Sequence, residues 1–269
     1  LHWTFGGPTE TIEAIDRVLA PLVDSFEPTK VRQRKEWLRR KAWILYSLGR
    51  EDEALRLLGH VEAVPPRDPG MDPQCLDLGT LYTSSLHERN PPRPGSPAAA
   101  LERLPETFDP KGGPSFDLRG WIKLKGGDSS PDDSEDGTES DAPAKVEIPV
   151  GRSCRKIHFL HGARTVKEDP AVVIASYRMH FEDGSGFEEQ EMVLGRDVAG
   201  LWLSERPAQE TVNLEGIAWS HPFRNNQRGA TMGLTRLTWE NESGKTISRI
   251  EFVSAGKKAN PVLYAVTLE

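Results

Sequence analysis

The sequence predicts an α+β protein with segregated parts: a short α-helical segment followed by an all-β antiparallel sandwich. The prediction rests on a change in hydrophobic period. Apolar residues recur every three or four positions up to about residue 60, and every second position from about residue 114. About nine strand candidates separated by turn residues follow that change. No helical pattern lies between them, which favours a sandwich over a doubly wound α/β fold.

Residues 1–68 make up the helical part. Apolar stripes predict three helices, over 9–26, 30–48 and 51–60. Gly49 follows the second stripe, where a glycine in the left-handed conformation commonly ends a helix. The second and third helices are therefore predicted to form an antiparallel hairpin.

Six residues of this hairpin follow a familiar spacing. They are Leu38, Ala42, Leu45, Ala54, Leu58 and Pro66. With this pattern, residues 35–68 resemble one tetratricopeptide repeat, in which small alanines let two helices approach closely. An ordinary helical hairpin is the alternative. Because such repeats bury their faces against neighbours, the resemblance implies the remnant or the end of a longer array.

Residues 69–113 are predicted to be a linker. The stretches 61–73 and 90–97 are rich in proline, which favours loops. Short helices are expected at 74–88 and at 97–104 within this linker.

Residues 114–269 are predicted to form the sandwich. The Asp183-Gly184 pair between two strand candidates is typical of a hairpin turn. Alternation predicts the core residues Phe116, Ile157, Phe159, Tyr177, Phe252 and Leu263.

An acidic tract interrupts this part at residues 128–144. It holds seven acidic and no basic residues, and the rest of the chain is balanced at 34 of each. The tract is too polar to bury apolar area, so it is predicted to be a flexible, solvated loop between strands.

Five segments of the β-rich part resemble a recurrent module. They are residues 116–120 (FDLRG), 149–161, 177–184, 251–255 and 261–269. In order and spacing they are similar to an uncharacterised C-terminal β-sandwich module of large multidomain proteins of the Planctomycetes and Verrucomicrobia. The resemblance covers about residues 74–269, with 77–108 as its lead-in. It implies a galactose-binding-like jelly roll, a fold that often binds carbohydrate, and it brings no catalytic residues.

Few motifs point to chemistry. His158 and His161 stand three apart on one strand candidate and should face opposite sides, which disfavours a shared metal ion. Cys154 shares a face with His158 but lies roughly 13 Å away along an extended strand. Asp183 suits the hairpin turn better than calcium, and neither a nucleophile elbow nor a phosphate loop is present. We therefore expect no cofactor, no metal site and no enzyme activity.

The best ligand-binding candidates are aromatic, amide and guanidinium side chains in segments that look like loops. They are Trp202, Trp219, Arg224, Asn225 and Asn226. An aromatic platform with polar neighbours suits a sugar, whereas burial in the core is the alternative for both tryptophans. Of the two, Trp219 is expected to be more exposed, because His221-Pro222 should turn the chain.

A non-catalytic binding or scaffolding module of a larger bacterial signalling or regulatory protein is the function that these patterns favour. Its partner would be another protein or the remainder of a longer polypeptide; a carbohydrate-binding module is the alternative. The basic run Lys30–Lys41 is interpreted as a solvated helix face, so no nucleic-acid partner is expected. The longest apolar run is too short for a membrane helix. Two unpaired cysteines lean weakly towards a reducing compartment.

Overall fold

The computed structural model describes residues 7–23, 28–62, 64–86, 107–108, 113–127, 142–164, 171–198, 202–204, 216–225 and 228–269. Across these ranges the protein is mostly antiparallel β-sheet, with three short α-helices near the beginning. None of the helices in the described ranges is long and apolar enough to span a membrane.

The three predicted helices form. They are α1 (Pro8–Leu19), α2 (Pro28–Ser47) and α3 (Glu51–Glu62). A 3-10 turn, Ala20–Leu22, follows α1, because Pro21 has no amide hydrogen to continue the α-helical pattern. Gly49 joins α2 to α3 with a φ of 75°, a conformation that glycine adopts without strain.

Thirteen strands lie in the described ranges. They are β1 (Ser84–Ser85), β2 (Thr107–Phe108), β3 (Phe116–Asp117), β4 (Gly120–Lys123), β5 (Lys145–Arg152), β6 (Lys156–Arg164), β7 (Val173–Phe181), β8 (Phe187–Val193), β9 (Trp202–Ser204), β10 (Ile217–Asn225), β11 (Arg228–Glu240), β12 (Ile247–Ser254) and β13 (Asn260–Leu268). The predicted Asp183-Gly184 hairpin turn joins β7 to β8, and Gly184 has a φ of 72°.

The strands form two main antiparallel sheets. The larger has seven strands in the order β1-β4-β13-β6-β11-β10, with β9 also paired to β11. The smaller has four, in the order β5-β12-β7-β8, and β2 pairs separately with β3. This arrangement confirms the predicted antiparallel architecture in its coarse form, a β-sandwich-like pair of sheets.

The main core lies between the two sheets. The Phe159 ring on β6 stacks on the Tyr177 ring on β7, with 3.8 Å between ring centroids, and Tyr177 also stacks on Phe252 of β12. All six predicted core residues are buried. Five belong to this cluster, whereas Phe116 packs in a second cluster with Leu160, the residue that follows Phe159 on β6. The larger sheet is therefore covered on both faces.

The short helix expected at 74–88 is wrong for its described part, residues 74–86. Turns and the short strand β1 occupy this segment. The Asp72 and Asp77 carboxylates accept hydrogen bonds from the N–H groups of Gln74 and Gly79, at 2.8 and 2.9 Å. Such local bonds compete with the helical pattern. The helix expected at 97–104 and the acidic residues 128–141 lie outside the described residues.

A buried ion cluster holds the linker against the larger sheet. Arg119 donates two hydrogen bonds to Asp117, at 2.8 and 3.0 Å, and one to the carbonyl oxygen of Pro65 at 3.0 Å. It also donates to the carboxylate of Asp77. Burial disfavours the charge of Arg119, but these hydrogen bonds raise its pKa above the ordinary value. Because its charge is paired and its donors are used, Arg119 stays ionised in the interior.

Candidate functional site

The helical hairpin is built around small residues. Ala42 and Leu45 of α2 pack against Ala54 of α3, and all three are almost fully buried. Hydrogen bonds from the N–H groups of Gly49 and Arg50 to carbonyl groups of α2 close the turn. The two helices therefore run antiparallel and in close contact, as the sequence predicted.

The helix α1 covers one side of this hairpin. Ile12 packs against the alanine cluster, and the Lys41 ammonium contacts the Asp16 carboxylate at 2.5 Å. Farther along, the Arg34 guanidinium donates to the carbonyl oxygens of Leu22 and Val23, at the end of the 3-10 turn that follows α1. These contacts place α1 on the side of α2 that carries Lys41 and Arg34.

Large apolar side chains stand exposed on the other side. Trp43 is 68% exposed, Tyr46 62% and Leu55 43%. Trp43 follows the buried Ala42 by one position, and Leu55 follows the buried Ala54 by one position. In an antiparallel pair, the same offset of about 100° turns both side chains to the same side of the hairpin. We call this surface, formed by Trp43, Tyr46 and Leu55, the Trp43 face.

The ligand candidates chosen from the sequence lie in strands and not in loops, which corrects that expectation. Trp202 is on β9, and Trp219, Arg224 and Asn225 are on β10; Asn226 lies outside the described residues. The turn expected at Pro222 does not form, and β10 continues to Asn225. A proline is tolerated there because β10 is the edge strand, where its missing N–H breaks no ladder.

The strand register does not gather these candidates into one site. Trp219 pairs with Leu234, whereas Arg224 pairs with Gly229, near the far end of the β10–β11 hairpin. Five residues of extended chain separate Trp219 from Arg224 by roughly 17 Å. Trp219 is half-buried and packs against the second apolar cluster, which favours its role in the core.

The two histidines of β6 face opposite sides of the larger sheet, as their spacing predicted. His161 contacts Tyr177 in the core, whereas His158 lies on the other face. Within the described ranges, no three His, Cys, Asp or Glu side chains are grouped so as to hold a metal ion.

A hydroxyl, an imidazole and a carboxylate are bonded in series on that other face. Nδ1 of His158 is 2.9 Å from Oγ1 of Thr238, and its Nε2 is 3.1 Å from a Glu269 carboxylate oxygen. The order is that of a hydrolytic triad. However, His158 is only 5% exposed. The neighbouring Thr267 is 1% exposed, and its hydroxyl donates to the carbonyl oxygen of Ser115. Burial lowers the pKa of His158, and the arrangement is best explained as a satisfied polar contact within the sheet.

Sequence reasoning missed the Trp43 face as a candidate site. Trp43 and Tyr46 lie next to the predicted apolar stripe in the sequence, but their exposure depends on which side of the hairpin α1 covers.

Comparison with protein-family models, with curated proteins and with solved structures finds no match to this chain.

Proposed function

We propose that this chain is a non-catalytic protein-binding or scaffolding module of a larger bacterial signalling or regulatory protein. The observation that carries the proposal is the Trp43 face, with three large apolar side chains exposed together. Contiguous exposed apolar side chains mark interaction sites on soluble proteins. Tryptophan and tyrosine are also the residues that most often dominate binding energy at protein interfaces.

A second helix is the kind of group that fits this surface. The hairpin has α1 on one side and the Trp43 face on the other, so a further helix would complete a layer. In a tetratricopeptide-like array the next repeat supplies that helix, and in a separate partner an amphipathic helix does. Alanines at the contact between α2 and α3 support the tetratricopeptide-like interpretation.

The non-catalytic part of the proposal is supported by the use of the histidines. His161 is fully buried and both of its ring nitrogens are hydrogen-bonded. Both ring nitrogens of His158 are hydrogen-bonded as well, to Thr238 and to Glu269. A general base must reach a substrate proton, and these two imidazoles are committed to neighbouring protein groups.

A galactose-binding-like, carbohydrate-binding module is the second candidate, motivated by Trp219 and the antiparallel sandwich-like sheets. A sugar platform needs an exposed aromatic ring with polar side chains beside it. The half-burial of Trp219 and its distance from Arg224 make this candidate weaker than protein binding.

Affinity capture with matched variants tests the proposal. The wild-type chain, a Trp43→Ala/Tyr46→Ala variant and a Phe187→Ala variant are immobilised and exposed to lysate of the source organism. Phe187 is a suitable control because it is an aromatic residue on the smaller sheet with 49% exposure. We expect a protein that is retained by the wild type and by Phe187→Ala and lost by the double variant. Equal retention by all three would contradict a role of the Trp43 face.

A further inference from the structure

The acidic tract begins and ends at the same end of the two sheets. Just before it, the N–H of Gly127 donates to the carbonyl oxygen of Lys257 at 2.6 Å. Just after it, the carbonyl oxygen of Pro143 accepts from the N–H of Lys125 at 2.9 Å. Lys257 belongs to the turn that connects β12 to β13. The tract is therefore tethered at both ends beside this turn.

Two glycines make this close approach possible. A Cβ added to Gly127 would lie less than 3.0 Å from the carbonyl oxygen of Gly256, and one added to Gly126 equally close to the side-chain oxygen of Asn260. The N–H of Gly126 also donates to that oxygen at 2.7 Å. The backbone at the start of the tract is therefore packed directly on the turn between β12 and β13.

The end of the sheets where the tract is tethered is basic. Three exposed lysines lie there, and we call them the lysine end: Lys125, Lys257 and Lys258. No acidic residue is found in the described segments that surround them, which are residues 123–127, 142–144 and 255–260. The lysine end is therefore a local concentration of positive charge.

A fourth lysine nearby is already paired within the chain. The ammonium group of Lys145, at the start of β5, lies 3.4 Å from a carboxylate oxygen of Glu147 and 3.5 Å from one of Glu251. Among the described residues, neither Lys125 nor Lys257 forms an ion pair of this kind. Lys145 is therefore left out of the lysine end.

The tract carries the opposite charge at the same place. Its residues 128–141 include seven acidic residues and no basic one. Asp128 follows Gly127 directly and Asp141 precedes Ala142, so the Cα atoms of both acids lie about 3.8 Å from those of described residues. With both ends held, no part of this segment can extend farther than about 25 Å from its tethers. Its carboxylates therefore stay at a high effective concentration around the lysine end.

We propose that the lysine end is a docking surface for an acidic polypeptide segment, and that the acidic tract of the same chain occupies it. The proposal goes beyond the proposed function, since it does not involve the Trp43 face. An exposed ion pair contributes about 1 kcal/mol or less on its own. The tether removes most of the entropic cost of association, so a few such pairs suffice for occupancy. A partner with its own acidic segment binds this surface only by displacing the tract.

Competition with a free peptide tests the occupancy. The peptide has the sequence of residues 128–141, and fluorescence anisotropy measures its binding to the wild type and to a neutral-tract variant. In that variant the seven acidic residues are replaced by their amides, which keeps the length of the tract. We expect the dissociation constant to be about three- to fivefold higher for the wild type, because its own tract competes with the peptide. Equal dissociation constants would overturn the occupancy.

Replacing the three lysines of the lysine end by glutamine tests the surface. In the neutral-tract background, this change should raise the dissociation constant of the peptide by about tenfold, since three exposed ion pairs are lost. Thermal unfolding checks that the fold is retained. A peptide that binds equally well without the three lysines, or that does not bind the neutral-tract variant at all, would overturn the lysine end as a docking surface.

A matched control removes the same charge elsewhere. Arg17, Arg40 and Arg56 are exposed residues of the three helices. In the neutral-tract background, Arg17→Gln/Arg40→Gln/Arg56→Gln should change the dissociation constant of the peptide by less than about twofold, because only long-range electrostatics is altered. A control that weakens binding as much as the lysine variant would show that the peptide responds to net charge and not to the lysine end.

Zero-length cross-linking locates the tract in the wild type. A carbodiimide joins a carboxylate to a touching amine as an amide, with loss of water. We expect amide bonds between the acidic residues of 132–136, in the middle of the tract, and Lys257 or Lys258, located by mass spectrometry. They should be fewer in about 0.5 M NaCl than in about 0.05 M, because salt screens exposed charges. Bonds mainly to Lys30 or Lys41 of α2 would place the tract on the basic helix and overturn the proposal.

Discussion

The Tyr177 hydroxyl on the smaller sheet donates a hydrogen bond of 3.0 Å to Nδ1 of His161 on the larger sheet. Both side chains are fully buried. Nε2 of His161 donates to the backbone carbonyl oxygen of Asp197, also at 3.0 Å, so a neutral imidazole satisfies both ring nitrogens. Burial lowers the pKa of His161 to about 4 and raises the pKa of Tyr177 well above its ordinary value. The pair is an uncharged polar link across the core.

The stability of the protein should fall with acidification through His161. Its folded-state pKa of about 4 lies below the ordinary value of 6.5. Between these pH values the His161 imidazole is protonated in the unfolded chain but neutral in the folded chain, so the free energy of unfolding decreases as the pH falls. The loss begins below about pH 6.5 and amounts to about 3 kcal/mol when the pH reaches 4. Denaturant unfolding between these pH values measures it.

A His161→Gln variant is the control for this effect. A glutamine amide has a donor for the Asp197 carbonyl and an acceptor for the Tyr177 hydroxyl, but it does not titrate in this range. The difference in unfolding free energy between wild type and variant should therefore shrink as the pH falls from 7 to 4. A difference that stays constant with pH would show that His161 is already protonated or is solvated in the folded protein.

Replacing Arg119 by methionine should destabilise the protein by about 3–5 kcal/mol, because Asp117 would keep a buried charge without its main partner. Asp117 is 1% exposed and accepts two hydrogen bonds from Arg119. Denaturant unfolding at neutral pH measures the loss. Lys156→Met is the matched control, since it removes the half-exposed ion pair of Lys156 with Glu240 at 3.1 Å. It should cost about 1 kcal/mol or less. Similar losses in both variants would show that the Arg119 cluster is hydrated.

Local patterns predicted much of the fold. The alternation of Ile157 and Phe159 placed both side chains in the core, since β6 is a regular strand within the larger sheet. Gly49 indicated the end of α2 because a left-handed turn has few alternatives in sequence. In each case the decisive interaction lies within a few residues of the signal.

Contacts between residues far apart in the sequence could not be predicted in this way. Asp77 and Arg119 are 42 positions apart, and nothing local pairs them. Pro222 predicted a turn but lies within β10, which tolerates a proline because it is an edge strand. The position of a strand at a sheet edge cannot be determined from the sequence of that strand. The sequence did not predict the Trp43 face for the same reason, since the exposure of its side chains depends on where α1 packs. The candidate site was therefore less predictable than the elements that carry it.

Deleting residues 129–141 of the acidic tract should change the free energy of unfolding by less than about 1 kcal/mol. The chain on either side of the tract is already close, since the N–H of Lys125 donates to the carbonyl oxygen of Pro143 at 2.9 Å. A shorter connection between neighbouring backbones costs little and reduces the entropy of loop closure. Thermal unfolding of the deletion variant measures this. A loss above about 2 kcal/mol, well beyond that of ordinary surface changes, would show that the tract is structural.

Two tryptophan substitutions should differ in how much stability they cost. Trp219 is half-buried and packs against the second apolar cluster of the larger sheet. Trp219→Ala should therefore leave a cavity and cost about 3 kcal/mol of unfolding free energy. Trp43 is mostly exposed, so Trp43→Ala should cost about 0.5 kcal/mol or less. Thermal and denaturant unfolding of the two variants measure the contrast.

A glycan-array screen of the wild type and of Trp219→Ala completes this test. A sugar platform and a core residue differ both in glycan binding and in the effect of their substitution on the melting temperature. The carbohydrate interpretation requires glycan binding by the wild type that Trp219→Ala or Trp202→Ala abolishes while the melting temperature stays close to that of the wild type. The core interpretation requires the reverse for Trp219, a lower melting temperature and no glycan bound by the wild type. We expect the second result, since Trp219 is half-buried against the second apolar cluster and its ring is therefore partly covered by the protein. A stable Trp219→Ala chain that loses a bound glycan would instead identify the β10 edge as a sugar-binding surface.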